Sequence, residues 1–205
     1  MTTLNLQVAA SADDSQEISG GSIVLASTSV GILDADDEYG GLRWAVAVPN
    51  AATINSAIVS AMPNSAGRDE PLHNLDFEAA DDAAEFTTTT NDISNRTLTG
   101  SPELWDDTDL GADGSTFFPS PDLSVPLQAV VDRPGFSSGN SVVCVIVQPT
   151  TEAARDLSIH AYDNDPATAA KLDIDYTAGG GGGDPEGRLV GGKLVGGGLL
   201  SGRLV

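Results

Sequence analysis

The clearest hydrophobic pattern lies between residues 121 and 147, where the period changes once. Leu123, Leu127, Val130 and Val131 fall at i, i+4, i+7 and i+8, one face of a short helix. Ser124 is the candidate N-cap, and Pro126 fits the first turn, where its missing N–H costs nothing. Arg133-Pro134-Gly135 ends that helix. After a turn at Ser137-Ser138-Gly139-Asn140, Val142 to Val147 is an unbroken apolar run of strand length, so a strand covered on both faces is expected there.

Elsewhere the pattern has period two. Leu4, Leu6 and Val8 alternate with polar residues, as do Leu42, Trp44, Val46 and Val48 up to Pro49. His73, Leu75 and Phe77, then Leu157, Ile159 and Ala161, then Leu172, Ile174 and Tyr176 repeat that alternation. Ser22 to Ile32 and Thr53 to Met62 are further strand candidates, whereas Ser11 to Gly21 reads as polar turn. Ala79 to Phe86 is expected to form a helical turn and Thr87 to Thr99 an extended edge. At least seven short strands and one short helix imply an all-β fold, a jelly-roll-like antiparallel β-sandwich over residues 1–177.

The pattern breaks after Thr177. Gly179 to Gly183 are consecutive glycines, and residues 178–186 read as a linker. Residues 187–205 form a five-residue repeat, GRLVG–GKLVG–GGLLS–GRLV, with apolar pairs Leu189-Val190, Leu194-Val195, Leu199-Leu200 and Leu204-Val205. A period of five matches neither a solitary helix nor a simple strand, and collagen requires three. The tail's charges are Arg188, Lys193 and Arg203, with no acid.

Charge sharpens the division. The chain carries 9 Lys+Arg against 30 Asp+Glu, a net of −21, and only two lysines. Since three of the bases lie in the tail, residues 1–186 hold six bases and all 30 acids, a net of −24. Such a body repels nucleic acid and anionic membranes and suits salty surroundings or divalent cations. No apolar run is long enough for a transmembrane helix, and MTTLNLQVAA lacks the basic and apolar regions of a secretory signal. Cys144, the single cysteine, sits in the apolar run as a small core residue.

Candidate chemistry is sparse. Two acidic loops offer hard oxygen ligands of the kind Ca2+ takes: Asp34, Asp36, Asp37 and Glu38, and Asp107, Asp109 and Asp113. Neither has the full EF-hand spacing, and a solvated acidic loop is the plainer reading. His73, His160 and Cys144 lack convincing spacing for zinc. No phosphate-binding glycine loop and no Gly-x-Ser-x-Gly occurs, so no catalytic residue is assigned and a non-enzymatic protein is expected. Trp105, before Asp106-Asp107, is either a glycan platform or a side chain packing its loop onto the sandwich. Asn95-Arg96-Thr97 is a glycosylation acceptor only in a secretory pathway.

A family likeness rests on segments in order: Ala12-Asp13-Asp14 with Glu17, GLRWAVAVPNAATINSAIVSA (41–61), DDAAEF (81–86), ISNRT (93–97), PDLS…QAVVDRPGFSSGN (121–140) and Tyr162-Asp163. Over about residues 9–177 the chain resembles jelly-roll modules of bacterial secreted and surface proteins, related to carbohydrate-binding and DNRLRE-type domains. That resemblance implies a non-catalytic appendage and carries no catalytic motif. The Gly-rich tail is similar to tails on structural proteins of tailed phages. The resulting expectation is a virion structural protein, a capsid decoration, collar or tail-associated subunit assembled in the host cytoplasm. It would be a homo-oligomer held by its tail to other virion proteins and to its own copies. The alternative is an extracellular or cell-surface carbohydrate-binding or adhesion module.

Overall fold

The computed structural model describes residues 1–32, 38–64, 72–106, 116–148 and 156–179. The described strands are β1 (Thr2–Gln7), β2 (Asp14–Ile18), β3 (Ser22–Val24), β4 (Ser29–Ile32), β5 (Tyr39–Ala45), β6 (Thr53–Ala61), β7 (Leu72–Phe77), β8 (Glu103–Asp106), β9 (Phe118–Pro119), β10 (Ser141–Val147), β11 (Leu157–His160) and β12 (Lys171–Thr177). One helix, α1 (Ser124–Val131), precedes β10.

Every strand pair is antiparallel. One sheet has the order β1-β12-β6-β9, a second β3-β2-β5-β10-β7-β8, and β11 pairs with β4. The first strand thus lies beside the last, and β5 and β10 lie beside each other in the opposite sheet. With β6 beside β12 and β7 beside β10, this nesting is the jelly-roll-like order of a double-sheet sandwich.

The main core lies between the sheets. Leu42 and Trp44 of β5, Ala57 and Val59 of β6, Leu75 and Phe77 of β7, and Leu172 and Ile174 of β12 meet there. β10 is covered on both faces, as its unbroken apolar run predicts: Val142, Cys144 and Ile146 face this core, while Val143 and Val145 face a second, smaller one.

Helix α1 closes one end of the sandwich. Leu123, Leu127, Val130 and Val131, the face predicted from spacing, are all buried. The dock is also polar. Gln128 accepts the Ile54 N–H at 2.7 Å and donates to the Ala52 carbonyl at 2.9 Å. Asn50 donates to the Arg133 carbonyl at 3.0 Å, just past the helix C-terminus. The start differs from expectation, because Leu123 is the N-cap and no side chain caps it. Asp122 takes that role: its carboxylate accepts the Ser124 N–H and hydroxyl, each at 3.0 Å, and also the Ala57 N–H of β6 at 2.9 Å. Leu127→Ala is expected to cost about 2–5 kcal/mol, since a fully buried leucine leaves a cavity. A change below about 0.5 kcal/mol in urea denaturation would mean that α1 is not docked.

Three local expectations are corrected. Asp14–Ile18, read as turn, is strand β2. Ser22 to Ile32 is two strands with a break between them. Residues 79–86 form no helical turn and residues 87–99 no edge strand; together they make a long irregular cover with one isolated β-bridge among the described residues, Leu98 to Glu78. β2 pairs with the nearby β3 and with β5, whereas β4 pairs with β11, more than 100 positions on.

Candidate functional site

Some residues from the segments that carried the family likeness, among them Glu17, Gly41, Arg43 and Arg133, meet at that cover. It lies over the outer face of the second sheet, where Ala83, Phe86 and Ile93 join Val143 and Val145 in the smaller core. Gly41 makes the fit possible, because a Cβ there would stand 2.4 Å from the Phe86 ring. Polar staples then tie the cover down. The buried Glu17 carboxylate accepts the N–H groups of Ile93 (3.0 Å) and Ser94 (2.8 Å) and the Ser94 hydroxyl (2.6 Å). Arg43 pairs with Asp13 at 2.5 Å and donates to the Ala83 carbonyl at 3.0 Å. Arg133 pairs with Asp81 at 2.6 Å, and Asp82 accepts the Ser141 N–H at 2.8 Å.

Arg96 is the centre of this network. Its guanidinium pairs with Glu78 at 2.6 Å, lies 3.6 Å from Asp92, and sits 4.6 Å over the Phe86 ring. It also donates to the carbonyls of Asp92 and Ala84, each at 3.1 Å. An open depression of about 400 Å³ lies beside it, lined by Glu78, Ala84, Asp92, Asn95, Arg96 and Thr97. Asn95, of the Asn95-Arg96-Thr97 triplet, is exposed at its rim.

Asp14 behaves differently from its neighbours. It lies opposite Leu42 across the β2–β5 pair and so shares that residue's inward face. Its Oδ2 accepts the Tyr162 N–H at 2.7 Å, while its buried Oδ1 has no partner. Burial, against the pull of the Tyr162 N–H and with help from Asp163 and Asp13, raises its pKa to about 7 from an ordinary 3.8. Asp14 is therefore a largely protonated carboxylic acid in mildly acidic solution.

The other candidates are closed. His73 is fully buried; its Nδ1 accepts the Leu72 N–H at 3.1 Å, and burial lowers its pKa to about 4, so the ring is neutral. Cys144 is fully buried and its thiol is pushed up by burial. Trp105 stands opposite His73 across β7 and β8 and is only 2% exposed, so it cannot present a ring to a sugar. The glycan-platform reading of Trp105 is corrected: its indole packs into the main core.

The two calcium candidates fall mostly outside the described residues. Asp34, Asp36 and Asp37, and Asp107, Asp109 and Asp113, belong to undescribed segments, while Glu38 is half-buried ahead of β5. Among the described residues no group of three His, Cys, Asp or Glu side chains is placed to hold a metal ion. The assembly candidates Arg188, Leu189, Val190, Lys193, Leu194, Val195, Leu199, Leu200, Arg203, Leu204 and Val205 also lie outside them. Among the described residues no helix is long and apolar enough to cross a membrane.

Fold and network define an all-β protein: antiparallel sheets in a sandwich, one short helix, and a stapled loop cover. No protein-family model matches the chain, and no curated protein matches it.

Proposed function

We propose that this chain is a non-enzymatic virion structural protein, with the sandwich as exposed body and residues 187–205 as the attachment to neighbouring subunits. The observation that carries this reading is the contrast within one chain. A body of net −24 is followed by a glycine-rich tail of three bases, no acid and four apolar pairs. The tail cannot offset its ordering entropy alone, because glycine loses the most freedom and the segment has little to bury against itself. Against a partner it can, with each Leu or Val contributing about 1.5–3 kcal/mol before ordering costs.

The period of five adds a geometric reason. In an extended chain an odd period reverses the face at each repeat. Val190, Leu194, Leu200 and Leu204 would then line one side and Leu189, Val195, Leu199 and Val205 the other. Such a segment satisfies both sides only between two layers, inside a joint between subunits. Arg188, Lys193 and Arg203 complement the carboxylates of another acidic body.

Truncation after Thr177 is expected to leave a folded sandwich with an unchanged melting temperature and to abolish incorporation into particles. A truncated chain that enters particles at wild-type occupancy would end the attachment role. Mass spectrometry of purified particles against spent medium tests the location itself. Recovery only from medium would favour the second reading, a secreted carbohydrate-binding or adhesion module. That reading draws on the jelly-roll-like strand order and the resemblance to carbohydrate-binding and DNRLRE-type domains.

A further inference from the structure

Sheet edges are templates for pairing, and this fold blunts all its long-sheet edges but one. In the second sheet the edge strand β3 has three residues, and β8 carries Glu103 and Asp106. In the first, β9 has two residues, one of them Pro119. The remaining edge is β1, six residues of sequence TTLNLQ with no charge, no proline and no bulge. In a chain of net charge −21 an uncharged edge of that length is unexpected.

The ladder shows what this edge offers. The Val8 N–H bonds the Ala170 carbonyl at 2.9 Å, so even-numbered residues turn their backbone groups toward β12. Thr3, Asn5 and Gln7 therefore turn theirs to the free edge, where no described strand meets them. Leu4 and Leu6 face inward and are only half-buried against the main core.

We propose that β1 is a dimerisation edge, pairing antiparallel with β1 of a second copy about a two-fold axis through Asn5. One register uses every free group. Thr3 pairs with the partner's Gln7, Asn5 with the partner's Asn5, and Gln7 with the partner's Thr3, each exchanging two N–H···O bonds. The same register sets Leu4 against the partner's Leu6 on the inward face, completing the burial that one copy leaves half done. The two four-stranded sheets become one of eight strands. A second copy fits better than the tail, because β1's outward side chains are polar and a segment apolar on both sides would leave one side wet. Repulsion is modest: Asp173 and Asp175 on β12 are about 14 Å from the partner's β12, beyond a Debye length of about 8 Å at physiological salt.

The test is sedimentation equilibrium of the full chain up to about 100 µM, a range that covers interfaces of this modest size. The wild type is expected to dimerise. Asn5→Pro removes an outward N–H that its own sheet does not use, and is expected to weaken the dimer at least about tenfold with unchanged melting temperature. Asn5→Asp keeps the backbone and sets like charges opposite each other across the axis, each beside its own Asp173, so it too is expected to weaken the dimer. Mixing Asn5→Lys with Asn5→Asp is expected to restore a dimer containing one of each. A monomeric wild type, a dimer unweakened by Asn5→Asp, or a mixture that stays monomeric would each overturn the proposal. Truncation after Thr177 leaves β1 intact and should leave the dimer intact. Loss of the dimer on truncation would overturn the β1 edge and make the tail the occupant, so the fates of tail and edge are read separately.

Discussion

Arg96→Met is expected to destabilise the protein by about 3 kcal/mol, the low end for removing one partner of a buried ion pair. The Arg96 side chain is 6% exposed and that of Glu78 18%, so Glu78 would keep a poorly solvated charge with no counterion. Methionine retains the stem over Phe86 but donates nothing to the Asp92 and Ala84 carbonyls. The low end applies because Glu78 reaches some water through the adjacent depression. Urea denaturation followed by tryptophan fluorescence reads the change, since Trp44 and Trp105 both lie in the main core. Arg96→Lys should recover only part, because a point-charge ammonium cannot replace the planar fork. Adding Glu78→Gln to Arg96→Met should recover part as well, since the stranded charge is gone. A loss below about 0.5 kcal/mol for Arg96→Met would show that the cover is held without it.

The second large effect is a pH dependence centred on Asp14. Below pH 3.8 the carboxyl is protonated in folded and unfolded chains alike and contributes no difference. Between 3.8 and about 7 only the folded chain holds the proton, so stability from this group falls as pH rises. Above about 7 the full penalty is present, on the order of 4 kcal/mol for a rise of that size. Asp14→Asn removes the titration and can still accept the Tyr162 N–H. The variant's stability relative to wild type should therefore climb from pH 4 to pH 7 and level off above it. Carboxylates that do not interact with Asp14 cancel in that difference, leaving Asp14 with its neighbours Asp13 and Asp163. A difference that stays flat from pH 4 to pH 8 would mean that Asp14 titrates as an ordinary surface acid.

Both predictions rest on residues whose roles the linear pattern hides. Asp13-Asp14 and Glu17 read as a turn because local polarity normally means solvent. Here Glu17 is buried under Ile93 and Ser94, and Asp14 under Tyr162, partners 76 and 148 positions away. The 79–99 stretch failed as a helix or a strand for the same reason: its backbone groups bond to Ala12, Ser141 and Phe77, not to one another in a repeating ladder. Trp105 shows the limit from the other side, since an aromatic residue before two acids has the same local sequence on a core strand as on an open loop. Ser124 lost the cap to Asp122 because Asp122 serves β6 as well as the helix.

What the sequence determined by itself was every element whose burial is periodic. Helix α1 and its four buried residues, the two-faced strand β10, and the alternating strands follow from side-chain direction, which repeats every 3.6 or two residues and needs no knowledge of the partner. The all-β class follows from the number of such strands and the turn signals between them. Tertiary structure alone decided which acids are buried, that a glycine at position 41 makes room for Phe86, and that β1 lies at the edge of its sheet among the described strands while β12 does not. These depend on which distant segments meet, and a polar side chain is stable in the interior only when such a segment brings it a hydrogen-bond partner.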